Sequence, residues 1–122
     1  MKLSEIIMSE SPALSFEVFP PKTTSSFDTV KTAVEKIAEL HPSFMSVTYG
    51  AGGGTSQYTL DIAKNIKAEH NVPTLAHLTC ISSTKETVRD MIGKIKDAGI
   101  TNVMALRGDQ SRGRRIYLCL WQ

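Results

Sequence analysis

A carboxylate lies inside an apolar run. In Leu14 to Lys22, LSFEVFPPK, the residues Leu14, Phe16, Val18 and Phe19 read as a short buried strand, with Glu17 inside it and Pro20-Pro21 ending it. A carboxyl flanked by aromatics is desolvated, which favours its protonated form and suits a general acid. Pairing with a buried cation such as Arg107 would explain the same residue equally well. His77 and Thr79 share one alternating face of a later apolar segment. With no second His or Cys at ligand spacing, His77 reads as a hydrogen-bonding histidine rather than a metal ligand. The segment Leu106 to Asp109, LRGD, brings an arginine, a glycine and an acid to the end of another apolar stretch. It suits the edge of a polar cofactor or an internal Arg–Asp pair. Gly50, Gly52 and Gly53 could cradle a phosphate before a helix. Their spacing fits neither the lysine-bearing phosphate loop nor the dinucleotide fingerprint, so they read as a tight loop.

The elements that must place these groups alternate. After the first strand, Phe27, Val30, Val34, Ile37 and Ala38 recur at helical spacing, with Ser25 and Asp28 resembling a cap and His41-Pro42 a stop. A second strand, FMSVTYG, leads through the glycine loop into a helix with Tyr58, Ile62, Ala63 and Ile66 on one face. A third strand, PTLAHLTCI, precedes a helix opened by Ser83 and Glu86 in capping-box spacing and stopped by Gly99. A fourth strand, TNVMALRGD, follows. Four strands and three helices in strict alternation predict right-handed crossovers and a parallel α/β sheet. Glu17, Thr48, His77, Thr79 and Asp109 all fall near the C-terminal ends of their strands, the rim where such sheets bind ligands.

The bulk numbers set limits. A chain of 122 residues, 41% hydrophobic and 21% charged, is expected to be one ordinary globular domain. No apolar run approaches a membrane span, and the N-terminus lacks the apolar core of a secretory signal, so a cytoplasmic location is expected. Net charge is +2. Setting aside Arg112, Arg114 and Arg115 near the end leaves 11 basic against 12 acidic residues, with no cationic footprint for nucleic acid. Cys80 and Cys119 lack zinc or disulfide context, and Cys80 reads as a buried strand-end residue.

Four motifs in order, SFEVFPPK, SVTYGAGGGTS, AHLTC and ALRGD, resemble the N-terminal half of methylenetetrahydrofolate reductase, over Leu14 to Asp109. The resemblance implies the first half of a (β/α)8 TIM barrel that binds FAD at its C-terminal rim. It also implies an enzyme of one-carbon metabolism in which NAD(P)H reduces the flavin, which passes hydride to 5,10-methylenetetrahydrofolate to give 5-methyltetrahydrofolate. Glu17 then corresponds to the acid that protonates a ring nitrogen of the folate. Thr48, His77, Leu106, Arg107, Gly108 and Asp109 correspond to positions around FAD. Asp109 would also face the pterin, its charge disfavouring the anionic reduced flavin. The choice between NADH and NADPH is not legible.

Past Asp109 the pattern is expected to stop, dividing the chain into a family unit at 1–110 and an irregular tail at 111–122, SRGRRIYLCLWQ, out of the family's reading frame. Since a barrel of this kind takes ~250 residues, half would be missing and the chain inactive alone. The alternative reading is a non-catalytic fragment that associates with itself or with an intact homologue. An aldolase-like barrel would want a Schiff-base lysine at a strand end, and none is present.

Overall fold

The computed structural model describes residues 1–9, 12–21, 23–49, 56–80 and 83–107. The glycine-rich residues 50–55, Gly108, Asp109 and the segment 111–122, with Cys119, lie outside these. Four strands form one parallel sheet in sequence order: β1 (Ser15–Val18), β2 (Phe44–Val47), β3 (Thr74–Thr79) and β4 (Asn102–Leu106). Helices α2 (Phe27–Ala38), α3 (Ser56–His70) and α4 (Lys85–Asp97) connect them. This is the predicted strand and helix alternation of a partial (β/α)8 barrel.

The count of three helices needs correction, because α1 (Leu3–Ser9) precedes β1. Its signal was short, Leu3, Ile6 and Ile7 at helical spacing, and its stability comes from docking rather than propensity. The Asn102 side chain accepts from the Leu3 N–H at 2.9 Å and donates to the Met1 carbonyl at 3.3 Å, which ties α1 to the start of β4. Ile6 is buried there, at 1% exposure.

Two predicted caps also differ. The α2 helix is entered through a 3₁₀ turn at Thr24–Ser26, and its N-cap Ser26 makes no side-chain capping bond. For α4 the N-cap is Thr84, not Ser83, and its hydroxyl accepts from the Thr87 N–H at 3.2 Å. The Glu86 carboxyl, in that first turn, is held below its ordinary value first by its own backbone N–H and then by the Thr84 hydroxyl. The stop at Gly99 is as expected. With φ of +68° it lets its own N–H reach the Lys96 carbonyl at 2.8 Å and the Ile100 N–H reach that of Ile95 at 3.1 Å. These are the two bonds of a Schellman motif, which glycine enters without side-chain strain. The α2 helix ends instead on His41, at φ of 51°, just before Pro42.

The core lies between one face of the sheet and the helices. Val18, Met45, Val47, Ala76 and Leu78 pack with Val34 of α2, Ile62, Ala63 and Ile66 of α3, and Val88, Met91 and Ile95 of α4. Burying each large aliphatic side chain stabilises by about 1.5–3 kcal/mol. All six residues of β3 are buried, as befits the centre of a parallel sheet. Among the described residues no helix is long and apolar enough to cross a membrane.

Candidate active site at the C-terminal rim of the sheet

Strand side chains alternate between faces, so the core on one face dictates what stands on the other. Phe16 and Val18 turn toward the helices, which leaves Glu17 on the inner face. Register pairs Glu17 with Ser46, Ser46 with Leu75, and His77 with Met104. Glu17, Ser46, Leu75, His77, Thr79, Met104 and Leu106 therefore line one surface.

That alternation corrects the expectation for Glu17. Its aromatic neighbours in sequence point away from it, or, like Phe19 at 68% exposure, lie out in solvent. The Glu17 side chain is 48% exposed, so the desolvating apolar wall is absent among the described residues. Leu14 is also half exposed, and β1 has only Val18 fully buried. Nor is its ionic neighbour Arg107. His77 Nδ1 lies 3.9 Å from Glu17 Oε1, and the His77 side chain is 10% exposed. This is ion-pair range for a protonated imidazole, and longer than a hydrogen bond.

Thr48 caps the end of β2. Its N–H donates to the Val18 carbonyl at 2.9 Å and its hydroxyl reaches the same oxygen at 3.4 Å, joining the ends of β1 and β2. Its own carbonyl accepts from Thr59 Oγ1 of α3 at 2.9 Å, which holds the start of that helix against the strand end. Thr79, at the end of β3, is buried beside Leu106, its register partner. Cys80 is half-buried rather than buried, and its N–H donates to the Leu106 carbonyl at 3.2 Å. Arg107 follows on the exposed edge.

The structure therefore brings together Glu17, Thr48, His77 and Leu106, with Arg107 next in chain, at the C-terminal ends of four adjacent strands. Gly108 and Asp109 lie outside the described residues. Ser46 was missed; its alternation with Met45 and Val47 was signal enough to place it on this surface. A carboxyl beside an imidazole can exchange protons with a substrate. Half-exposed Met104 and Leu106 next to polar Thr79 and His77 offer a surface that is apolar in part and hydrogen-bonding in part, which suits a flat heteroaromatic ring. No group of three or more His, Cys, Asp or Glu that could hold a metal occurs among the described residues.

The family model described as "Methylenetetrahydrofolate reductase" matches residues 2–118. A rice protein named "Probable methylenetetrahydrofolate reductase (NADH)" is 38% identical over 113 residues, 93% of this chain and 19% of its own length. The "5,10-methylenetetrahydrofolate reductase" of Pectobacterium carotovorum is 38% identical over 96 residues, covering 79% of this chain and 32% of its own. That of Escherichia coli is 38% identical over 100 residues, 82% of this chain and 34% of its own. The chain thus spans between about a fifth and a third of these relatives. With four parallel strands in sequence order and a family match over residues 2–118, the chain belongs to the methylenetetrahydrofolate reductase family.

Proposed function

We propose that this chain supplies the first four strands and their helices to a reductase that uses NAD(P)H, through FAD, to convert 5,10-methylenetetrahydrofolate to 5-methyltetrahydrofolate. The observation that supports this reading is the row of Glu17, Thr48, His77 and Leu106 at one rim of a parallel sheet. When bound, FAD supplies the hydride relay between nicotinamide and folate, and the protein supplies placement and charge. Thr48, His77, Leu106, Arg107, Gly108 and Asp109 are the residues that would hold it, with Asp109 also facing the pterin.

Glu17 hands its proton to a nitrogen of the folate's five-membered ring, opening it. Half exposure suits that task differently from burial: the carboxyl can meet a substrate and recover its proton from solvent. The test is to co-express the 122-residue chain with the remaining two thirds of the Escherichia coli relative and isolate the assembly. A yellow flavin spectrum, NADH oxidation with menadione and reduction of methylenetetrahydrofolate are expected. A folded but colourless assembly overturns the reading.

A second reading, self-association without catalysis, has its own observation. Among the described residues β1 and β4 each pair on one side only, and Val103, Met104 and Leu106 of β4 are exposed. A groove of about 350 Å³ lined by Ile92, Ile95, Ile100 and Val103 lies beside that strand. Unpaired apolar edges recruit other strands. Size-exclusion chromatography of the co-expressed assembly, run with a flavin absorbance scan, separates the two: a chain that elutes as its own colourless oligomer, apart from the remaining two thirds, favours this second reading.

A further inference from the structure

We infer that His77 is the positioning residue for Glu17, its imidazole Nδ1–H holding the carboxyl in place for proton delivery. The inference rests on the reading of Glu17 as the proton donor.

The two partners differ in freedom. His77 stands on the central strand, with all six residues of β3 buried and its own side chain 10% exposed. Glu17 stands on β1, an outer strand of the described sheet, with its side chain 48% exposed. A fixed donor facing a mobile acceptor sets where the acceptor rests. The path between them is clear, because β2, which separates their strands, presents Ser46 on this face and then Thr48 at the strand end, both small. Met104, the register partner of His77, walls its far side. The 3.9 Å separation of Nδ1 and Oε1 needs only a small rotation of the exposed carboxyl to become a hydrogen bond. Such catalytic bonds are commonly long until substrate arrives.

Chemically, a neutral imidazole carrying its proton on Nδ1 donates to the carboxyl and leaves Nε2 as an acceptor. When the Glu17 proton passes to the folate nitrogen, the carboxylate left behind keeps the Nδ1–H bond. His77 retains its proton throughout.

Two measurements test this. In the 122-residue chain at alkaline pH, long-range ¹H–¹⁵N spectra are expected to show His77 chiefly as the Nδ1–H tautomer, with that bias lost in Glu17→Ala. An identical tautomer ratio in both proteins overturns the inference without any need for flavin or turnover. In the FAD-loaded assembly, His77→Leu is expected to depress folate reduction on the order of 10²-fold further than it depresses menadione-coupled NADH oxidation. His77→Asn, whose amide nitrogen replaces Nδ1, should restore much of that difference. Adding His77→Leu to Glu17→Gln should lower the folate step no further than it lowers menadione-coupled NADH oxidation. Equal loss in both half-reactions overturns the inference, whereas a wild-type assembly that oxidises NADH yet never reduces folate overturns the proposed function instead.

Discussion

The two faces of the sheet are made by the same four strands and have opposite characters. On the helix side Met45, Val47 and Ala76 are all but sealed, and they mesh with Ala63 and Ile66, which are fully buried. On the inner side every strand carries something polar or half open: Glu17, Ser46, His77 and Thr79, then Met104 and Leu106. One-residue alternation separates a stabilising surface from a reactive one. Residues next to each other in sequence therefore have unrelated duties, and a substitution's effect depends on parity along the strand more than on residue type.

The sharpest way to break that contrast is Ile66. Replacing it with Asp puts an unpaired charge where exposure is 0%, and the cooperative unfolding transition is expected to vanish. The milder Ile66→Ala should lower stability by about 2–5 kcal/mol in urea denaturation. A cost no larger than that of a surface change would show that the helix side is not the core.

Glu17→Gln probes the opposite face. Folate reduction by the FAD-loaded assembly should fall by about 10²- to 10⁴-fold. Stability should move by less than ~0.5 kcal/mol, since the side chain is half exposed and shields no core. A large stability loss would mean that Glu17 is structural. Thr59→Val tests the joint between the faces. Removing its bond to the Thr48 carbonyl should cost about 1–3 kcal/mol and speed amide exchange in the first turns of α3. Unchanged exchange there would remove Thr59 from the account of the rim.

Asn102→Ala works at the bottom of the inner face. The loss of bonds to Leu3 and Met1 should cost about 1 kcal/mol and free α1, seen as faster exchange of the Leu3 amide. The smallest effect is expected at Glu86 on the outer helix surface. Because its carboxyl is held below the ordinary 4.5 in the folded chain, its contribution is present above the unfolded value and is lost as pH falls through the lowered folded one. NMR titration of Glu86 together with α4 amide exchange reads this. A Thr84→Ala variant should move the titration upward.

Much of the fold was legible because its signals are local. Helical spacing at Val30, Val34, Ile37 and Ala38 needs no knowledge of distant residues, nor does the glycine stop at Gly99, which the Schellman bonds bear out. What was misread involved competition between neighbours or distant docking. Ser83 and Thr84 can both cap, and backbone geometry selected Thr84. Helix α1 is too short to announce itself and is held by a side chain some hundred positions away. At the site, Glu17, Thr48 and His77 stand out by type and strand-end position, whereas Leu106 comes from the family resemblance. The surroundings of Glu17 are not legible in its sequence neighbours, because adjacent residues on a strand face opposite ways.

By itself, then, the sequence determined the order of strands and helices, the chemical groups available and the rim that carries them, since hydrophobic period and turn residues act over a few positions. Only the tertiary structure decided that Glu17 is half open and meets His77, 60 positions further along, rather than Arg107. That meeting depends on the register of three strands at once, and register is set by the packing of the opposite face.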